Sequence, residues 1–218
     1  MKDRIIKLLK STERDGMDRL IDWLEHNGFF TSPASTKYHG CFEGGLADHS
    51  LGVYKLLVEF AVDSNLGAVT SRGQNPHTLN SNNLIIAALL HDINKVGAYI
   101  GTEKPYTYNK QQPKGHALLS IARIKQFIEL EPIEEMMIRY HMGFYGLNEF
   151  YEEGTWEHKT NAEYALRDDH TGCEGLSKEE SQRKRYGKSL RNAWYHNPIV
   201  KLLYICDELE TLQSKAAE

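Results

Sequence analysis

The chain lacks any apolar run long enough to cross a bilayer. Its first ten residues, Met1 to Lys10, set charges among the apolar positions that a secretory signal would keep uninterrupted. A cytoplasmic protein with no membrane contact is expected. Cysteine is scarce: Cys41, Cys173 and Cys206 are far apart, odd in number and form no CxxC pair. That excludes a disulfide framework and a zinc knuckle, and leaves reduced packing thiols. Nor is positive charge in excess. With 26 Lys and Arg against 30 Asp and Glu, a net charge of −4 provides no whole-molecule attraction for nucleic acid. A local basic patch or a bound metal could still draw an anion. Internal repeats and low-complexity tracts are absent as well.

What remains is an ordinary globular composition, 40% hydrophobic and 26% charged, in 218 residues that one domain can fill with a proper core. Apolar residues at helical spacing predict helices over 3–10 (Ile5, Leu8, Leu9) and 14–27 (Met17, Leu20, Ile21, Leu24), the second closed by Asn27-Gly28. Residues 31–40 read as loop. After Gly44-Gly45 a helix is expected to about residue 63, burying Leu46, Val53, Leu56, Leu57 and Phe60. Residues 64–81 read as an exposed polar loop. Leu84 to Leu90 is a continuous apolar run whose length alone does not separate strand from helix. Its alanine pair, its Asn-rich start and the want of a parallel-strand partner favour a buried central helix.

Tyr99, Ile100, Tyr106 and Tyr108 around Gly101 to Pro105 predict a small β-hairpin near 98–110. Helices are expected at 115–130 and at 132–142, the latter opened by Pro132. The stretch 146–186 is polar and glycine-spotted, with one helix near 160–167. A last helix covers 188–214, with Pro198 a point where it kinks or restarts. The expected architecture is all-α and single-domain over 1–218: N-terminal helices in 1–29, a core in 30–145, an insertion or lid in 146–191 and a final core helix in 188–214.

Histidine is the residue in excess, ten in 218, which invites a search for metal ligands. His91-Asp92 ends the apolar run, where burying two polar groups unpaired would be expensive. Adjacent helix positions diverge by about 100°. An ion could therefore take both side chains only by sitting between them, leaving the outer oxygen of Asp92 to bridge a second ion. His49, His116, His141 and Asp207 lie in or beside other apolar helical stripes. For one histidine so placed, a hydrogen-bonded core role outweighs ligation. A lone Asp among apolar neighbours wants a partner charge or a metal. Such positions on separate helices, together with the His-Asp pair, argue against independent core roles.

Gly44-Gly45-Leu46-Ala47-Asp48-His49-Ser50, Leu90-His91-Asp92-Ile93-Asn94-Lys95, Gly115-His116, His141 and Cys206-Asp207 resemble, in that order, the HD-domain metal-dependent phosphohydrolase superfamily. The resemblance runs from about residue 30 to 212. Within it, Ser32-Pro33-Ala34-Ser35, His39 and the Gly-Gly-Leu entry look like the HD portion of bacterial 3′→5′ exoribonucleases and related phage and mobile-element proteins. The resemblance implies an HD-domain helical bundle around a metal site. One ion would be held by His49, His91, Asp92 and Asp207, and a second by Asp92, His116 and His141. Mn or Fe would be favoured, with Zn, Co, Ni and Mg also suited. It implies hydrolysis of a phosphate ester, of a nucleotide or short oligonucleotide, by a metal-activated hydroxide.

Two departures stand out. The usual HDxGK is here His91-Asp92-Ile93-Asn94-Lys95, which spares the ligands. Cyclic-dinucleotide phosphodiesterases of the family carry His-His-Glu and a Gly-Tyr-Pro motif where this chain has His141-Met142-Gly143. That weighs against a cyclic dinucleotide.

Around the ligands, Lys95 falls three residues after Asp92 and four after His91. It is expected to contact substrate phosphate or metal-bound solvent, the alternative being a structural ion pair. His39 could bind phosphate or protonate the leaving group, or be an exposed loop histidine. Asp48 reads as a first-turn charge. The cluster Arg183, Lys184, Arg185, Lys188 and Arg191 is a solvated helix face or, through Arg183 and Arg185, a holder of the anionic substrate. Tyr99, Tyr106 and Tyr108 are a base-stacking surface or hairpin packing. Two rival functions stay open: a di-iron oxygenase on the same scaffold, and a non-catalytic nucleotide-binding module.

Overall fold

The computed structural model describes residues 1–63, 80–101, 104–113, 115–150 and 177–217. The two N-terminal apolar stripes form α1 (Lys2–Lys10), burying Ile5 and Leu9, and α2 (Met17–His26), burying Met17, Leu20, Ile21 and Leu24. The second helix starts at Met17, not at 14, because the chain first turns through Gly16 at φ +82°. A Cβ there would stand 2.0 Å from the carbonyl oxygen of Phe127, so no other residue fits without movement.

The next elements are α3 (Gly45–Asp63) and α4 (Ser81–Leu90), the apolar run resolved as a helix. Every side chain of α4 from Asn83 to Leu90 is buried, which is why the run shows no amphipathic period. An Asn80–Asn83 capping box starts it. A 3-10 turn (Ile93–Lys95) follows, then β1 (Tyr99–Ile100) and β2 (Thr107–Tyr108), an antiparallel pair with Tyr99 opposite Tyr108. Tyr106 is buried, so hairpin packing and not base stacking accounts for it.

Then come α5 (His116–Ile124), α6 (Pro132–Tyr140), a 3-10 stretch (Gly143–Phe150), α7 (Lys178–His196) and α8 (Pro198–Ala217). One expectation is corrected here. The helix begun at 116 stops at Ile124, and Arg14 and Arg19 reach across to bond the carbonyls of Glu129 and Phe127 in the turn that follows. The stretch expected as the last helix restarts at Pro198, one of the two outcomes the sequence left open there: one helix ends at His196 and Pro198 opens the next, where its missing N–H costs nothing. α7 reaches back to Lys178 and packs Tyr186, Leu190 and Ala193 inward, so that part of the expected lid is helix against the core. The helix expected near 160–167 and the loop at 64–79 lie outside the described residues.

Among the described residues the fold is thus eight α-helices and one two-stranded sheet, an all-α bundle. α4 lies between α3 and α6 and touches α1, while α8 packs across α3, α6 and α7. The helix ends that carry histidines converge as a result. A polar clip sets the start of this bundle: the Glu134 carboxylate, with 0% side-chain exposure, accepts from Arg14 at 2.7 and 3.2 Å, from Asn83 Nδ2 at 3.0 Å and from the Glu131 N–H at 2.8 Å. Cys41 and Cys206 are free and buried. No described helix is long and apolar enough to cross a membrane.

Candidate metal centre

α3 begins where the 34–40 loop is pressed against it: Ala34 N donates to Gly40 O, and a Cβ on Gly45 would lie 2.0 Å from that same oxygen. This contact delivers His39 to the helix start and leaves His49 inside, with its side chain 2% exposed. Asp48, the residue before it, is an exposed first-turn charge, as expected.

His91 and His141 share one device. Each is the C-cap of its helix, α4 and α6, and each turns Nδ1–H back to the carbonyl three residues earlier, Ala88 O at 2.8 Å and Ile138 O at 2.6 Å. Those carbonyls belong to the last turn, which has no intrahelical N–H to satisfy it fully. The bond fixes each ring with Nε2 facing the centre. Asp92 does not continue the helix, as the sequence reading had it. At φ −105° and ψ 14° it has left the helical path. Its carboxylate therefore comes to face both groups of histidines.

That carboxylate is the hub. Oδ1 contacts His116 Nε2 and lies 3.5 Å from His141 Nε2. Oδ2 lies 3.5 Å from His91 Nε2, 3.7 Å from His49 Nε2 and 2.6 Å from Lys95 Nζ. Asp207 Oδ1 closes the group at 3.1 Å from His49 Nε2 and 3.8 Å from His91 Nε2. All six expected ligands are brought together, in three overlapping trios whose donor atoms lie within 4.8 Å of one another: His49, His91, Asp92; His91, His141, Asp207; and Asp92, His116, His141.

The donor set fits a divalent ion. Nε2 of His49, His91 and His141 is buried in each case without a hydrogen-bond partner. Three such buried nitrogens without a partner would be costly in a purely structural core. Imidazole nitrogens and carboxylate oxygens with bonded outer nitrogens are what a transition ion takes. Burial alone would push the Asp92 and Asp207 carboxyls up. Lys95, His91 and His116 around the first, and His49 and His91 around the second, hold both well below the usual carboxylate range.

Burial likewise works against charge on His49, yet Asp207 and Glu210 raise it to about 9. His91 is pulled down, chiefly by burial. The proton on His49 must leave before its Nε2 can take an ion. Ion uptake at neutral pH is thus expected to release protons and to weaken as the solution is acidified. Calorimetry in buffers of different ionisation enthalpy measures this, and uptake unchanged between about pH 6 and 9 would contradict it.

Of the remaining expected site residues, Lys95 ion-pairs with the ligand Asp92, and its ammonium is held on by that carboxylate despite burial. The His39 ring lies tilted at 48° to the His49 ring, 5.1 Å between centroids, with Nδ1 buried and without a partner. Burial first, then the charges of His49 and Lys95, lower it to about 4. Arg183 is exposed on α7, and Arg185 is half-buried with an unpartnered Nε. Their helix packs against α8 and the Gly143–Phe150 stretch.

Glu210 was not foreseen: its Oε2 contacts His49 Nδ1. The available signal was its position three residues after Asp207, hence on the same face of α8. A separate cavity of about 600 Å³, lined by Met136, Arg139 and Asn197 among others, lies between α6 and α7, and none of the six ligands lines it.

No curated protein and no solved structure matches the chain in comparison. The HD domain, by contrast, matches residues 46–186, a stretch that includes His49, His91, Asp92, His116 and His141 but stops before Asp207. The chain belongs to the HD-domain family, whose members are generally metal-dependent hydrolases.

Proposed function

We propose that this protein hydrolyses a phosphate ester, with a nucleotide or short oligonucleotide as its substrate class and Mn or Fe as the favoured ion. The observation that carries the reading is the set of three buried, unpartnered Nε2 atoms around the divided carboxylate of Asp92. A divalent ion bound there would supply Lewis-acid polarisation of a phosphoryl oxygen and a water of lowered pKa.

The chain's own groups are arranged to serve an anion. His49, His91, Asp92 and His141 have side chains no more than 2% exposed, whereas Lys95, His116 and Asp207 are each 16% exposed. The centre is therefore approached from the side of Lys95 and His116. Lys95, held beside Asp92, would meet an entering phosphoryl oxygen with a fixed positive charge. His39, neutral and with an unpartnered nitrogen, would hydrogen-bond the phosphate or the leaving-group oxygen. Arg183 and Arg185, with Lys184, Lys188 and Arg191, would hold distal phosphates.

The test is a panel of p-nitrophenyl phosphate, bis-p-nitrophenyl phosphate, nucleotides and short oligonucleotides, with Mn²⁺ or Fe²⁺, in H₂¹⁸O under anaerobic conditions. Hydrolysis with one labelled oxygen in the released phosphate is expected. Neutralising Arg183, Lys184, Arg185, Lys188 and Arg191 together should raise KM for nucleotides and leave p-nitrophenyl phosphate unchanged. Strict dependence on O₂ would move the assignment to an oxygenase, and ion binding without any turnover would leave a nucleotide-binding module.

A further inference from the structure

We infer that Glu210 is a positioning residue for the metal centre and that Gly52 is glycine to let it reach His49; the inference rests on the metal-binding reading above. The other two buried histidines anchor Nδ1 on a carbonyl of their own helix, three residues back. His49 sits inside α3, not at its end. The carbonyl three residues before it, Leu46 O, already accepts the Ser50 hydroxyl at 2.9 Å. His49 therefore needs an anchor from another element, and α8 provides one.

Asp207 and Glu210 are one helical turn apart on α8 and grip the two nitrogens of one imidazole. Asp207 Oδ1 lies 3.1 Å from Nε2, and Glu210 Oε2 contacts Nδ1. The second oxygen of Glu210 accepts from Ser214 Oγ at 2.6 Å, so the carboxylate is itself held. A carboxylate on Nδ1 keeps the proton there, turns Nε2 toward the ion and makes the ring a better donor. With 8% exposure, Glu210 is a buried acid whose burial this contact compensates.

Gly52 supplies the independent observation. It lies three residues after His49 in the interior of α3, with helical backbone that any residue could adopt. Glycine weakens a helix at such a position. A Cβ there would stand 2.7 Å from Glu210 Cγ, 3.1 Å from Oε1 and 3.2 Å from Cδ, closer than real Cβ contacts allow for the first. The missing side chain is the space through which Glu210 passes.

The 218-residue chain, with Mn²⁺ as probe, tests this. Glu210→Ala should weaken Mn²⁺ binding about 10- to 100-fold. Glu210→Gln, which keeps an acceptor for Nδ1–H, should recover most of that loss. Gly52→Ala should weaken binding several-fold although alanine favours the helix, a combination that a merely structural role would not produce. In the Zn²⁺-loaded protein, the His49 Nδ1–H resonance seen by ¹H–¹⁵N NMR should shift or vanish in Glu210→Ala.

Should Glu210→Ala fail to fold, Gly52→Ala decides. Mn²⁺ binding as tight as wild type in the folded variants would overturn the inference, as would a His49 protonated at Nε2 in the Zn²⁺-loaded wild type. A wild-type protein that binds neither ion overturns the metal reading and this inference with it. Wild-type binding with unweakened variants overturns the inference alone.

Discussion

Asp92→Ala is expected to lose bound metal and turnover together, with kcat/KM falling by at least about 10³-fold. Among the described residues it is Asp92 that turns both oxygens on the histidines: Oδ1 faces His116 and His141, and Oδ2 faces His49 and His91. Its removal dismantles two of the three trios at once. It also strips the Lys95 ammonium of its partner at 2.6 Å. A ligand that binds only the folded state stabilises it by about 2.7 kcal/mol at a hundredfold excess over Kd. Added Mn²⁺ should therefore raise the Tm of the wild type and leave that of Asp92→Ala where it was. His116→Ala removes one ligand of a single trio and should retain one ion. Metal content by mass spectrometry, read beside turnover, distinguishes the two variants. Full occupancy and activity in Asp92→Ala would overturn the assignment of the centre.

Glu134→Ala is expected to cost about 3–5 kcal/mol of stability, the range for breaking a buried ion pair from one side. Its carboxylate has no exposed surface and satisfies Arg14, Asn83 Nδ2 and the Glu131 N–H together. Alanine would orphan the Glu131 N–H and take one acceptor each from Arg14 and Asn83, where α6 starts and where the α1–α2 connection and α4 meet it. For a chain of this size that corresponds to a fall in Tm of roughly 6–20 °C. The residue is far from the ligands along α6, so a folded fraction assayed well below Tm should keep wild-type kcat. A loss under about 1 kcal/mol would show that the neighbouring Glu131, which already bonds Arg14 at 3.1 Å and Asn83 at 2.9 Å, can replace it.

Much of this centre was legible in the sequence, for a physical reason. A histidine or aspartate at the edge of an apolar helix is conspicuous because burial without compensation is expensive, and His91-Asp92 after Leu84–Leu90 is the clearest instance. α4 could be read for the same reason: it is apolar from Leu84 to Leu90, and the bundle surrounds that run. Glu210 was hidden because acids are ordinary on an amphipathic helix and its partner is 161 residues away. α7 was hidden by composition. Its first half is a run of charges, and only Tyr186, Leu190 and Ala193 recur at inward spacing. The early stop of α5 could not be read locally at all. Phe127 and Ile128 continue its apolar pattern, but arginines from the α1–α2 region bond the carbonyls beyond it.

The two histidine C-caps carry an electrical consequence of their own. A helix ends with its carbonyls outward, and the sum of its peptide dipoles places about half a negative charge there. α4 and α6 both end at the centre, at His91 and His141, while α5 begins there with His116 as its first residue. Two negative helix ends thus face the place of the cation, and one positive end lies on the more open side, next to Lys95. This polarity belongs to the peptide backbone. It survives replacement of any single side chain, and it sorts charge in advance of either ligand, drawing a metal inward and an anion to the mouth.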